Sequence, residues 1–250
     1  MKSKNNREKT NRQNTNRQNT NRLNTNRQNN KIKSKKRLNY SSLICKIIAI
    51  IVMMAGITVM LGWIFDVPVL KSIIPTWVSM KFITALSFVT CGFLIYLFTL
   101  KIENEYLEYI SVVVSFTLIL LMMVFFVSVL TGISTSIENL FVKEAPGAVK
   151  TAGLGVPAIP TMACFILIGL SQLIFLLDNK RKRGLLWIGI PVMILGMVAV
   201  VGYIVDRPAL YYTWEGFTSM AANTAILFTL IGLSLILLGK NDEIIDNYNN

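Results

Sequence analysis

Apolar residues fill most of this chain in long runs that short polar segments interrupt. Six of the runs are close to the length of about 20 residues that a helix needs to cross the hydrocarbon core of a bilayer. They cover residues 44–65, 80–100, 109–130, 160–177, 185–205 and 219–238. The pattern predicts an all-α membrane protein with six transmembrane helices, in a membrane domain of residues 44–240.

The first 43 residues differ from the rest in composition. They carry 13 lysine and arginine residues and one acid, Glu8, a net charge of +12, whereas the remaining residues sum to zero. A five-residue repeat, which fits neither the helix nor the strand period, places arginines at Arg12, Arg17, Arg22 and Arg27. We predict a disordered basic cytoplasmic tail at 1–43 and a short cytoplasmic tail at 241–250.

The basic segment KIKSKKR at 31–37 directly precedes the first apolar run. Two interpretations stay open for it. It contacts anionic lipid headgroups, at about 1 kcal/mol per basic residue near the surface, or it is a solvated topology signal. Nucleic acid is a disfavoured partner because the tail has no aromatic residue before Tyr40 that could stack on a base.

Lysine and arginine are distributed unevenly between the two sets of loops. One side holds the basic tail, Lys101, the KRKR run at 180–183 and Lys240. The other side holds only Lys71, Lys81, Lys143, Lys150 and Arg207. By the positive-inside rule, the sequence predicts a multi-pass protein of the cell membrane with both termini in the cytoplasm.

An internal repeat relates the first two spans to the last two. Shifting the sequence by 140 residues aligns 46–103 with 186–243 without a gap, with 18 identities in 58 positions. The identities include Gly62/Gly202, Asp66/Asp206, Pro68/Pro208 and Met80/Met220. A match without gaps over two spans and their loop indicates a repeated hairpin.

A third, weaker copy lies in the fourth span. TALSFVTCG (84–92) and TAILFTLIG (224–232) correspond to TMACFILIG (161–169). The chain thus consists of three hairpins, 44–100, 109–177 and 185–238. Because each hairpin enters the membrane from the same side, the repeat predicts pseudo-threefold symmetry about the membrane normal. The repeated positions on the even-numbered spans are Thr84, Phe88, Gly92, Thr161, Phe165, Gly169, Thr224, Phe228 and Gly232.

These repeated threonine, phenylalanine and glycine residues recur at i, i+4 and i+8, so they share one helix face. The first interpretation is packing at the bundle axis, where glycine permits close approach and threonine bonds to a helix backbone. The alternative is a polar constriction formed by Thr84, Thr161 and Thr224. The sequence leaves both open.

An Asp-x-Pro element ends the first and fifth spans, at Asp66 and Asp206. The proline cannot continue the helix, so one interpretation is a helix terminator. An aspartate at a helix C-terminus nevertheless faces the negative end of the helix dipole, which favours the alternative of a ligand site at the outer rim. The rim candidates are Trp63, Asp66, Trp77, Tyr203, Asp206, Arg207, Trp214 and Glu215.

The connection at 131–160 in the middle hairpin is longer than its counterparts. Its TSIE segment at 135–138 resembles a capping box that opens a short amphipathic helix. The loop is a candidate lid or ligand contact, or surface filler.

Enzyme chemistry finds little support in the residue types. The chain has no histidine, which removes the commonest metal ligand and any Ser-His or Cys-His pair. Its three cysteines lie within apolar runs with no CxxC spacing. The sequence also has no glycine-rich phosphate loop. We therefore expect no enzyme, no metal and no cofactor.

The run GWIFDVPVLKSIIPTWVSMKFITALSF at 62–88 resembles the N-terminal membrane regions of prokaryotic sensor histidine kinases and diguanylate cyclases that contain PAS domains. The likeness extends over 44–240 and is fainter at 202–237. It implies a sensory input module. Only GKNDEIIDNYNN follows the sixth span, so the expectation is a module without an output domain that signals through a separate protein.

Three functional hypotheses follow from the sequence. The first is a sensory or regulatory membrane module without catalysis. The second is a small transporter or channel along the pseudo-threefold axis, which buried charges within the spans would favour. The third is a structural or assembly subunit of a membrane complex.

Overall fold

The computed structural model describes residues 40–100, 104–133, 135, 137, 149, 151, 153–177, 183–212 and 216–249, with the backbone alone at 175–177, 183 and 241–249. All regular structure in these residues is helical. The helices are α1 (Tyr40–Ile64), α2 (Pro68–Lys71), α3 (Phe82–Leu100), α4 (Glu105–Thr131), α5 (Ile159–Leu177), α6 (Arg183–Ile204), a 3-10 helix (Pro208–Tyr211) and α7 (Ala222–Asn249).

The prediction of a multi-pass helical membrane protein is confirmed at this level. Five helices of the described chain are long and apolar enough to cross a bilayer: α1, α3, α4, α6 and α7. The predicted fourth span corresponds to α5, whose apolar part at Ile159–Ile174 is shorter.

Contacts divide the chain into two units, Met1–Ser41 and Ser42–Asn250, and nearly all described residues belong to the second. Residues 1–39 of the predicted disordered tail, including its basic segment, lie outside the described residues, whereas residues 40–43 are not disordered but form the start of α1. Two of the four residues of the TSIE segment, Ser136 and Glu138, and the charged loop at 178–182 also lie outside the described residues.

The long helices pack closely in pairs, α1 on α3, α4 on α5 and α6 on α7. Helix α6 contacts α7 along much of its length. Glycine lets the backbones approach: a Cβ on Gly196 would lie 2.7 Å from the carbonyl oxygen of Ala225. The repeat-related Gly56 on α1 shows the same 2.7 Å to the carbonyl oxygen of Ala85 on α3.

Helices α3, α5 and α7 form the centre of the bundle. Phe88, Phe165 and Phe228, one from each of these helices, are fully buried, and each pair of their ring centroids lies 4.9 Å apart. We call these three side chains the phenylalanine layer. Three residues further along each helix lies a second buried set, Cys91, Ile168 and Ile231.

Two helix boundaries differ from the apolar runs. Helix α1 begins at Tyr40, four residues before the predicted span, and α7 continues to Asn249, beyond the predicted end at 238. Hydropathy marks where a helix can enter lipid, whereas backbone hydrogen bonding can continue through polar residues. The region predicted as a C-terminal tail at 241–250 is therefore helical up to Asn249.

Candidate functional site

The two Asp-x-Pro elements adopt the same backbone conformation. Asp66 and Asp206 have positive φ angles of 53° and 49°. The amide of the next residue, Val67, donates to the carbonyl of Gly62 at 2.8 Å, and its counterpart Arg207 donates to Gly202 at 2.8 Å. These are the left-handed residue and the long backward hydrogen bond of a Schellman-type helix end.

This conformation explains the choice of aspartate. Few residues with a side chain tolerate a left-handed backbone, and aspartate and asparagine are among those that do. The proline two residues later fixes φ at a value suited to a first helical turn. Pro68 accordingly begins α2 and Pro208 begins the 3-10 helix. The geometry thus gives each aspartate a local role in reversing the chain.

An aromatic side chain fixes each loop to the start of the next span. The Trp63 indole nitrogen donates to the carbonyl of Met80 at 2.8 Å, and the Tyr203 hydroxyl donates to Met220 at 2.8 Å. Sequence reasoning missed the role of the two methionines, although their identity in the repeat was a signal. Each methionine amide also donates to the end of the preceding short helix, Met80 to Lys71 at 2.9 Å and Met220 to Tyr211 at 3.1 Å.

The repeat-related residues Lys71 and Tyr211 give the two loops different contacts. The Lys71 ammonium lies 4.3 Å from the centre of the Trp63 ring and 2.5 Å from a carboxylate oxygen of Asp66. That hydrogen bond, together with the charge of Lys71, lowers the pKa of Asp66. In the second loop Tyr211 instead stacks on Tyr203, with ring centroids 4.1 Å apart. One loop therefore carries an ion pair and the other an aromatic stack.

The two loops touch each other. The rings of Trp77 and Tyr203 lie 4.7 Å apart, and the Asn223 side chain donates to the carbonyl of Lys71 at 3.2 Å. The structure thus brings together Trp63, Asp66, Trp77 and Tyr203 of the predicted rim. Sequence reasoning missed the contacts of Lys71 and Asn223, because neither residue is identical to its counterpart in the repeat.

The other predicted rim residues contribute less to this cluster. Asp206 and Arg207 are exposed, and no salt bridge within the described residues includes either one. Trp214 and Glu215 lie outside the described residues.

Of the predicted axial residues, the threonines and phenylalanines are buried, whereas the glycines contact the partner helix of their own hairpin. Thr84, Thr161 and Thr224 are each only 2% exposed, one helical turn before the phenylalanine layer. The glycines at the third repeated position face neighbouring helices. A Cβ would lie 2.7 Å from Met53 at Gly92, 2.6 Å from Ile119 at Gly169 and 2.5 Å from Met193 at Gly232.

Metal chemistry has no support in the described part of the chain, which contains no group of three or more cysteine, aspartate or glutamate side chains able to hold an ion. The three cysteines are buried free thiols. What the arrangement offers is hydrogen-bonding and charged groups at the end of the bundle where α3, α5 and α7 begin. Comparison with protein-family models, curated proteins and solved structures finds no match.

The left-handed conformation predicts how Asp206 responds to substitution. Asp206→Asn is expected to raise the free energy of unfolding by a few tenths of a kcal/mol, because it keeps a tolerant residue and removes a negative charge at a helix C-terminus. Asp206→Ala is expected to lower it by about 1 kcal/mol. Thermal unfolding in detergent measures both changes.

Asp66→Asn is the matched comparison. It also removes the ion pair with Lys71, so its free energy of unfolding should rise less than that of Asp206→Asn. A clear loss of stability in Asp206→Asn would contradict the helix-terminator interpretation and favour a role for the carboxylate charge.

Proposed function

We propose that the protein is a sensory or regulatory input module of the membrane that has no catalytic activity and signals through a partner protein. The observation that carries this proposal is the continuity of α7. This helix begins beside the buried axial threonines and runs without interruption to Asn249, nine residues beyond the apolar span that ends at Lys240.

A continuous helix transmits motion better than a flexible loop does. At 1.5 Å per residue, the span of α7 covers about 28 Å and the extension about 13 Å more. A displacement of the axial layers would therefore reach a partner at the membrane surface through one rigid element. Discrete shifts of packed helices of this kind are a recognised form of signalling transition.

The six-span architecture belongs to this proposal. We take α5 as the sixth span and the three hairpins as related by a pseudo-threefold axis along the membrane normal. The equal spacings of 4.9 Å within the phenylalanine layer support the symmetry, as do the matched hydrogen bonds of the two loops. Because the three hairpins meet at one axis, a change in packing at that axis would affect all three hairpins.

Transport along the axis is the less favoured alternative. The phenylalanine layer and the set Cys91, Ile168 and Ile231 are fully buried and fill the centre of the bundle. Among the described residues the single buried charged side chain is Lys81, at the start of α3 rather than at mid-span. A transport path would require these layers to separate.

Cysteine labelling tests the proposed orientation. In variants that lack the native cysteines, Gly147→Cys is expected to react with an impermeant reagent in intact cells. Arg181→Cys is expected to react only after permeabilisation, because the positive-inside rule places its loop in the cytoplasm. The reverse pattern at both positions would overturn the orientation.

A kinase fusion tests the signalling role. The full chain is joined after Asn250 to a histidine-kinase output region whose own membrane input has been removed, and autophosphorylation is measured in vesicles. We expect activity to change on Thr161→Val or on insertion of one to four residues into α7 after Lys240, because both alter what α7 transmits. An insertion of four residues adds about one helical turn and returns the following residues to nearly the same helix face. It should therefore change kinase activity less than an insertion of two residues does. Constant activity across the whole set would overturn the sensory role.

A further inference from the structure

The middle hairpin can be compared with the other two contact by contact. Hairpin one is α1 with α3, hairpin two is α4 with α5, and hairpin three is α6 with α7. The end of α1 is followed by the left-handed Asp66 and the end of α4 by the left-handed Gly132, with φ of 53° and 69°. The glycine at the third repeated position meets Met53 on α1 and Ile119 on α4. Both comparisons relate α1 to α4 by a shift of 66 residues, so each contact has a defined counterpart in hairpin two.

The hydrogen bonds that fix the loops of hairpins one and three cannot form in hairpin two. In each of those loops an aromatic side chain donates to a methionine, whose amide donates to the preceding short helix. Val129 takes the place of the aromatic residue, and Pro157 takes that of the methionine. Valine has no side-chain donor and proline has no amide hydrogen. The end of α4 is therefore not joined to the start of α5 by these two bonds.

The close crossing of the helices is also replaced in hairpin two. In hairpins one and three a glycine faces an alanine, and a Cβ on that glycine would lie 2.7 Å from the alanine carbonyl oxygen. Met122 and Met162 occupy these two positions in hairpin two, and both are fully buried. Methionine has three rotatable bonds and adapts to irregular gaps. A crossing of this composition can change its spacing more easily than a contact between two backbones.

Hairpin two contains a buried polar pair where its counterparts have no polar side chain. Ser115 on α4 donates to the side-chain oxygen of Gln172 on α5 at 3.1 Å, and both residues are 0% exposed. The equivalent positions in hairpins one and three are Ala49, Ile95, Gly189 and Leu235. Among the described residues the side-chain nitrogen of Gln172 has no hydrogen-bond partner. Rotating the amide would only exchange the atom that lacks a partner.

A second hydroxyl lies on the same stripe of α4. Ser111 is 3% exposed and precedes Ser115 by four residues, so the two share one helix face. Its hydroxyl donates to Leu107 at 2.7 Å, which leaves the oxygen able to accept. The two serines lie about 6 Å apart along the helix, a spacing that one amide spans with a hydrogen bond of about 2.9 Å at each end. A packing that gave the Gln172 nitrogen this acceptor would be favoured, because a buried donor without a partner is costly.

We propose that α4 is a sliding helix with two packings against α5, and that Gln172 is the positioning residue that selects between them. In the packing described above, the amide binds Ser115 alone. In the second packing α4 moves along α5 by about 1–2 Å, the size of a shift between packed helices, and the amide bridges Ser115 and Ser111. Hairpins one and three, fixed by their loops and backbone crossings, form the frame against which α4 moves.

The sliding of α4 goes beyond the proposed sensory role and does not depend on it. If that role holds, the motion has a path to α7. Helix α5 carries Phe165, whose ring lies 4.9 Å from that of Phe228 on α7. A change in how α4 packs on α5 would reach α7 through this contact.

Distances between spin labels along the bundle axis test the inference. The full-length protein, with its three buried cysteines replaced, is placed in nanodiscs. Ile47→Cys is combined with Leu130→Cys on α4 or with Ile204→Cys on α6, and double electron–electron resonance gives the distance distribution of each pair. All three positions are exposed, and Leu130 and Ile204 are equivalent in the repeat. Ile47 lies 17 residues from the equivalent position on α1, about 26 Å along the axis, so both pairs report axial displacement.

We expect a narrow distribution for the pair within the frame, Ile47 and Ile204, and a broader one for Ile47 and Leu130. Gln172→Leu and Ser111→Ala each remove the bridge. Both should narrow the second distribution and move its mean by about 1–2 Å, while the distribution within the frame stays unchanged. Gln172→Leu introduces the residue type that Leu235 provides at the equivalent position of hairpin three, so this variant is expected to fold.

Ser87→Ala is the matched control, because the buried Ser87 hydroxyl donates within its own helix α3 at 2.8 Å. Its two distributions should equal those of the parent protein, and an effect as large as that of Ser111→Ala would remove the role of the bridge. A distribution for Ile47 and Leu130 with the same narrow width and mean in the parent and both variants would overturn the sliding helix.

A broad distribution that neither substitution changes would overturn the assignment of Gln172 as the positioning residue. The distance measurement involves no output protein, so this inference and the sensory role fail separately. A kinase fusion with constant activity overturns the sensory role alone.

Discussion

Phe165→Ala is expected to lower the free energy of unfolding by about 3–5 kcal/mol, the range for truncating a buried phenylalanine. Phe165 is fully buried, and its ring contacts both Phe88 and Phe228 at 4.9 Å. Inside a bilayer the loss comes mainly from packing, because lipid is as apolar as the core. Unfolding in a denaturing detergent measures the change.

Phe116→Ala is the control for the first prediction. Phe116 lies on α4 with 54% of its surface exposed, so its ring faces lipid and its removal should cost little. Equal losses in the two variants would show that the phenylalanine layer does not hold α3, α5 and α7 together. Similar losses in Phe88→Ala, Phe165→Ala and Phe228→Ala would support the pseudo-threefold arrangement.

The helices and the repeat could be predicted from the sequence because each has a direct signal. Runs of apolar residues reveal helices that cross lipid, and the identities between the repeats fall at positions with strict backbone demands. Asp66 and Asp206 adopt a left-handed conformation, and Gly56 and Gly196 permit backbone contact. Residues with such demands allow few substitutions, so they remain recognisable when the surrounding apolar residues have changed.

Contacts between the loops could not be predicted in this way. Trp77 contacts Tyr203, which is 126 positions away in the sequence, and neither residue is identical to its counterpart in the repeat. The inward face of each span was also hard to assign, because lipid-facing and core-facing side chains are equally apolar and hydrophobic periodicity is weak. The threonine, phenylalanine and glycine residues repeated at i, i+4 and i+8 gave the local indication of that face.

The burial of Lys81 could not be predicted from the sequence either. In the sequence Lys81 is one of several lysines assigned to the less basic side, and its repeat counterpart is Ala221. Its burial depends on the neighbouring hairpins and on Thr151, 70 residues away. A contact between segments so far apart in the sequence has no contiguous motif, so it becomes visible only in three dimensions.

Gly196→Ala is expected to lower the free energy of unfolding by about 1–3 kcal/mol, as overpacking a tight contact does. An added Cβ would lie 2.7 Å from the carbonyl oxygen of Ala225 and 2.7 Å from the amide nitrogen of Thr229, and both are backbone atoms that cannot rotate away. Helices α6 and α7 must therefore separate.

Gly184→Ala on the same helix is expected to raise the free energy of unfolding instead of lowering it. Among the residues whose side chains are described, its added Cβ would meet only Ile174, at 3.4 Å, so alanine should bring the gain of about 0.5–1 kcal/mol that it has over glycine within a helix. Both substitutions replace glycine with alanine, and they differ only in which atoms lie beside the added methyl group. A stabilising Gly196→Ala would contradict the close packing of α6 on α7. Equal losses in both variants would indicate that the helix backbone, rather than contact between the helices, sets the cost.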